Sequence, residues 1–216
     1  MSVGIPLLAG TVALGALTGA LWERAIPWLI ARSDEDRSDQ PTWTVRATSP
    51  PVLALASAAI AAAVTLRWGE SRLLAPALVL ALGLVGVTAI DLRFRIIPDR
   101  LNGILALAAI GFGVALQRGR LVEFALAGFL AALFLLITAV LQPGGIGMGD
   151  IKLVLVTGLF LGQAEMHAIL AGFLLSLVPA VVLLVAKGRK SSFAFGPFLA
   201  AGALVALLTT APSFSS

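Results

Sequence analysis

Three carboxylates stand where an apolar chain should not hold them. Asp91 closes one apolar run, in Thr88-Ala89-Ile90-Asp91. Asp150 opens another, in Gly147-Met148-Gly149-Asp150-Ile151-Lys152, and Asp99 follows Pro98 in a short break between runs. Carboxylates at membrane depth are costly and point to function. Two that face each other can share one proton, because like charges at close range cannot both ionise. One then acts as general base on water while the other, protonated, polarises a carbonyl. That is the chemistry of amide hydrolysis, and it needs neither a metal nor a covalent intermediate. Plainer readings stand beside it. Asp150 could cap the helix it opens, and Asp91 could pair with Arg93 or Arg95.

A glycine run shifts the balance. Gly144, Gly145, Gly147 and Gly149 fall within six residues, directly before Asp150. The Gly-Lys-Ser/Thr step of a phosphate loop is missing, and no strand precedes the run. Glycines here let a backbone approach closely, which suits a peptide held against a carboxylate.

The other acids read as structural. Four lie in the polar stretch Ala31 to Ser49, which reads as a solvated linker. Glu70 and Glu123 lie beside arginines as solvated partners, and Glu165 lies at an outer turn. Glu23 adjoins Arg24 as an interfacial pair. The single histidine, His167, reads as packed or interfacial, and Trp22, Trp28 and Trp68 as interfacial anchors. With one histidine and no cysteine, thiolate zinc sites, multi-histidine metal sites and disulfides are excluded.

The elements that must position these groups follow from composition. Of 216 residues 59% are apolar and 12% charged, against about 25% charged in a soluble domain. Mean hydropathy is +1.03. A soluble globule could not hide so much apolar surface. The expected fold is therefore all-α: a polytopic membrane bundle of about eight transmembrane helices, since lipid leaves no water for open backbone. The apolar segments run over 3–22, 52–66, 73–90, 101–116, 121–141, 151–161, 166–186 and 193–211, the sixth being short for a span. The first reads as an anchor rather than a cleaved signal. Gly15 and Gly19 form a G-x-x-x-G pair that reads as tight packing within the chain rather than a dimer seam. Residues 1–50 read as the first helix with a short cytoplasmic loop, and 51–216 as the main bundle.

Basic residues choose the orientation. With eight spans and both termini outside, eleven Lys and Arg fall on inner loops and four on outer ones. Asp91, Asp99 and Asp150 then all face the cytoplasm. The same bias accounts for the net charge of +4 without a nucleic-acid partner.

These residues resemble the type IV prepilin peptidases, membrane aspartic proteases of the G-x-G-D type. The stretch Asp91 to Asn102 is similar to the family's Asp, short gap, Ile/Leu-Pro-Asp/Asn-x-Leu. Gly147 to Leu153 matches G-x-G-D-x-K-L, and Phe195 to Ala200 matches a late F-G-P-F-L-A segment. Gly15 to Pro27 is a weaker likeness to the family's first helix. The resemblance implies that Asp91 and Asp150 are the catalytic pair, with Gly147, Gly149, Lys152, Pro98 and Asp99 in support. It implies cleavage of the basic leader of prepilin-like proteins, after a glycine, at the cytoplasmic face of the cell membrane, with no cofactor. Many family members carry an N-terminal insert with two C-x-x-C pairs and methylate the new N-terminus using S-adenosylmethionine. Here Arg24 to Pro51 is short and has no cysteine, so peptidase activity alone, or methylation supplied as a separate step, is expected. Two other classes fit the same acids: a small ion or solute transporter, and an inactive subunit of a pilus or secretion assembly.

Overall fold

A computed structural model describes residues 3–30, 48–141, 146–187 and 194–210. Each of the eight apolar segments forms an α-helix. They are α1 (Ile5–Ile30), α2 (Pro50–Trp68), α3 (Leu74–Phe94), α4 (Asp99–Leu116), α5 (Leu121–Leu141), α6 (Met148–Leu161), α7 (Glu165–Lys187) and α8 (Gly196–Thr209). Short 3-10 turns at Arg118–Arg120 and Gly162–Ala164 join α4 to α5 and α6 to α7. Among the described residues there is no strand.

Length separates the helices. Six stretches are long and apolar enough to cross a membrane, with α6 and most of α7 falling in one of them. Taken alone, α6 and α8 have 14 residues each, about 21 Å of helix against roughly 30 Å of hydrocarbon. The eight expected segments are thus eight helices, two of them too short to span unaided. The first helix also runs two turns beyond its expected end. It passes through Pro27 and carries Glu23 and Arg24 within it.

The chain divides into two compact units, residues 1–108 and 109–216, the division falling inside α4. In the first, α1 packs along α2 and both contact α3. Close approach of α1 and α2 depends on the G-x-x-x-G pair. A Cβ on Gly15 would lie 2.6 Å from the Ser57 carbonyl oxygen, and one on Gly19 would lie 2.3 Å from that of Leu53. The glycines therefore serve packing within the chain. Trp22 and Ile60 pack against the cluster of Leu53, Val85 and Ala89, the Trp22 ring lying against Gly86. Trp22 is partly buried and Trp68 is buried. Neither acts as the interfacial anchor expected from sequence. Trp28 is exposed and lies beneath the Arg100 guanidinium, 5.0 Å from the ring centroid.

In the second unit α5 packs on α6, and α7 on α8. Leucines, valines and phenylalanines line an outer face of α5, among them Phe129, Leu130, Phe134 and Ile137. Such a face requires lipid. Phe173 on α7 and Phe195, just before α8, stack with ring centroids 5.4 Å apart.

Candidate active site

The segment around Asp91 is shaped by how α3 stops and α4 starts. Arg95 adopts a left-handed conformation (φ 53°, ψ 37°), and its N–H donates to the Asp91 carbonyl at 2.8 Å, closing the last turn. Proline at 98 keeps Ile97 out of helical geometry. The Pro98 carbonyl then accepts from the N–H groups of Leu101 (3.1 Å) and Asn102 (3.2 Å), which starts α4. Asp91 ends up in the final turn of α3, 4% exposed. Pro98 is buried beside the exposed Asp99.

Arg93 is not committed to Asp91. Its Nε donates to the Thr48 hydroxyl, Nη1 to Glu23 Oε2 at 3.1 Å, and Nη2 both to Glu23 Oε1 and to the Thr48 carbonyl at 2.6 Å. All three guanidinium nitrogens are thereby used elsewhere. Glu23 likewise takes Arg93, not its neighbour Arg24, as its ion-pair partner. Arg95 is exposed.

Asp150 lies at the other candidate position, in the first turn of α6 and 9% exposed. It is the third helical residue, not the cap. Gly147, in extended geometry (φ −77°, ψ 149°), holds the cap position, and its N–H donates to Asp150 Oδ2 at 3.1 Å. This is the carboxylate half of a capping box, and it orients the side chain through one of its two oxygens. A Cβ on Gly147 would lie 3.1 Å from that same oxygen, so glycine here lets the carboxylate fold back. Gly149 and Lys152 flank Asp150 in the same helix, both partly buried. Gly144 and Gly145 of the glycine run lie outside the described residues. Of the expected site residues, the first unit thus carries Asp91, Pro98 and Asp99, and the second Gly147, Gly149, Asp150 and Lys152. Among the described residues, no three of His, Cys, Asp or Glu gather where they could hold a metal ion.

Two buried polar groups escaped the sequence reading. Glu165, placed at an outer turn, is 2% exposed, and the Thr157 hydroxyl donates to its Oε1 at 2.8 Å. Asn102 is 4% exposed, and neither its amide nitrogen nor its amide oxygen has a hydrogen-bond partner. The available signal was a lone amide among apolar residues, three positions beyond Asp99. His167, by contrast, is exposed at the start of α7.

A family model described as the type IV leader peptidase family matches residues 78–185, half of the 216-residue chain. That range holds both aspartates and leaves the Gly15 to Pro27 and Phe195 to Ala200 stretches outside it. The chain is similar to the prepilin leader peptidase/N-methyltransferase of Bacillus subtilis, 34% identical over 170 residues, covering 73% of this chain and 65% of that protein. The protein of the same name from Burkholderia pseudomallei is 32% identical over 174 residues, 76% of this chain and 56% of the relative. The Neisseria gonorrhoeae protein of that name is 32% identical over 160 residues, 69% and 54%. The chain thus spans between about half and two thirds of the length of these curated relatives. No solved structure matches it.

Proposed function

The chain belongs to the type IV leader peptidase family, and on that premise we propose that it is an aspartic endopeptidase with Asp91 and Asp150 as its catalytic pair. The observation that carries the reading is the placement of Asp150. It is buried at a helix start, inside G-x-G-D, with its carboxylate held by the Gly147 N–H.

In the proposed reaction one carboxylate takes a proton from water, whose oxygen attacks the scissile carbonyl carbon. The other, protonated, donates to the carbonyl oxygen as the tetrahedral intermediate forms. The intermediate collapses, the C–N bond breaks, and the leaving nitrogen receives a proton. A free amine and a new carboxylate result. Lys152, Asp99, Pro98, Gly147 and Gly149 support the pair. The substrate is a prepilin-like protein with a basic leader, a glycine at the cleavage point, and then an apolar helix. The apolar part lies along lipid-facing helices, so the lipid bilayer is itself a partner. The names of the relatives include an N-methyltransferase; the activity proposed for this chain is the peptidase step.

The site is assigned to the cytoplasmic face of the cell membrane. The charge around it supports this: Arg93, Arg95 and Arg100 surround the α3–α4 link, and Lys152 follows Asp150. The cysteine-free chain makes the assignment simple to test. A single cysteine at Arg95 should react with a membrane-impermeant maleimide in inside-out vesicles and stay protected in right-side-out ones.

The function is tested with purified protein in liposomes and a peptide of the stated pattern. A single cut after the glycine, located by mass spectrometry, is the expected result. An intact peptide, together with ion flux across the same liposomes, would replace the peptidase by a transporter.

A further inference from the structure

We propose that the side-chain amide of Asn102 hydrogen-bonds the backbone of the extended substrate peptide beside the scissile bond, which makes it a substrate-binding residue. The inference rests on the peptidase reading and adds a binding group to it. Asn102 is 4% exposed, and its Nδ2 and Oδ1 both lack a hydrogen-bond partner. Buried polar groups are almost always satisfied, and one left open with both a donor and an acceptor calls for a missing partner. An asparagine edge presents N–H and C=O side by side. That is the complement of the C=O and N–H of a peptide backbone.

Position in the fold agrees. Asn102 lies three residues after the start of α4, and Asp91 three residues before the end of α3. The link between the two helices is only four residues long, 95–98. Asp91 and Asn102 therefore each lie about one turn from the link. The helices also meet directly, because a Cβ on Gly83 would lie 2.6 Å from Leu105 Cδ2. Leu101, Asn102 and Leu105 form the buried side of α4, while Asp99, Gly103 and Ile104 are exposed. On α3, Val87, Ile90 and Asp91 follow Gly83 at helical spacing and are buried. The unpaired amide and the catalytic carboxylate thus lie on inward sides of two helices, next to the same link.

The test is Asn102→Leu, which keeps volume and removes both hydrogen-bonding groups. An amide reserved for substrate is an unpaired burden in the empty protein. Its replacement should leave the thermal midpoint in detergent unchanged or raised while lowering kcat/KM on the basic-leader peptide by roughly tenfold or more. Binding of the uncleaved peptide in an Asp150→Asn background should weaken by a similar factor. Asn102→Thr, which retains one donor and acceptor, should fall between the two. Asn102→Leu cleaving within twofold of wild type would overturn the assignment. A lowered midpoint in both variants, with normal cleavage by the folded fraction, would overturn it too, since the amide would then be structural. Wild-type protein that leaves the peptide whole would contradict the peptidase reading itself, whereas normal wild-type cleavage with an unimpaired Asn102→Leu contradicts only the role of Asn102.

Discussion

The guanidinium of Arg93 donates to both carboxylate oxygens of Glu23, seventy residues away in the chain, and so ties the last turn of α3 to α1. The Arg93 side chain is 11% exposed and that of Glu23 32%, so solvent screens the pair in part. A forked pair cannot be reproduced by lysine. Glu23→Gln and Arg93→Lys should each destabilise the protein by about 1–2 kcal/mol. The double variant should lose less than the sum. Unfolding in detergent checks this. Strict additivity would mean that the two side chains do not work together.

Gly147 and Asp150 give a second prediction. The backbone of Gly147 is one that any residue adopts, so a substitution acts only through its side chain. A Cβ 3.1 Å from Asp150 Oδ2 must push the carboxylate by a few tenths of an ångström. Gly147→Ala should lower the cleavage rate by roughly tenfold, and Gly147→Val by about a hundredfold, because small misplacements of a reacting group are costly. Stability should change by less than about 1 kcal/mol for the alanine variant. Equal rates for all three proteins would detach Gly147 from the positioning of Asp150.

Thr157 and Glu165 tie the far end of α6 to the start of α7. Glu165→Ala removes one acceptor of the Thr157 hydroxyl, which keeps the Leu153 and Val154 carbonyls, and opens a void, and should destabilise by about 1–3 kcal/mol. Glu165→Gln keeps an acceptor for Thr157 and should cost less. Folded fractions of both variants should cleave at the wild-type rate, since Asp150 lies at the opposite end of α6. Loss of activity in well-folded Glu165→Gln would instead give this carboxyl a part in the chemistry.

What could be read from sequence depended on distance along the chain. Eight apolar runs became eight helices because the requirement that lipid places on the backbone is met locally, run by run. The Gly15 and Gly19 pair was legible for the same reason: the spacing itself defines a smooth helix face. Partners remote in sequence were not legible. Nothing near Glu23 points to Arg93, so the adjacent Arg24 looked like its mate. Trp22 and Trp28 are six residues apart on one helix, yet one packs on Gly86 and the other is exposed. Only the arrival of α3 decides between them. Glu165 reads only as an acid at an outer turn, but the turn folds it back onto Thr157. At the site, an Asp opening α6 was visible as a motif. That it sits one turn inside the helix start and accepts from Gly147 depended on the cap geometry of that start.

The central claim is that Asp91 and Asp150 act as one catalytic unit, and a double-variant rate comparison tests it most directly. Single-turnover cleavage of the basic-leader peptide is measured for Asp91→Asn, Asp150→Asn and the protein carrying both changes, each shown to be folded. Groups that act as a unit are strongly non-additive. Each single variant should therefore lose about a thousandfold or more, and the double variant should be no slower than the worse single. Normal cleavage by either single variant, or losses that multiply in the double, would contradict the account.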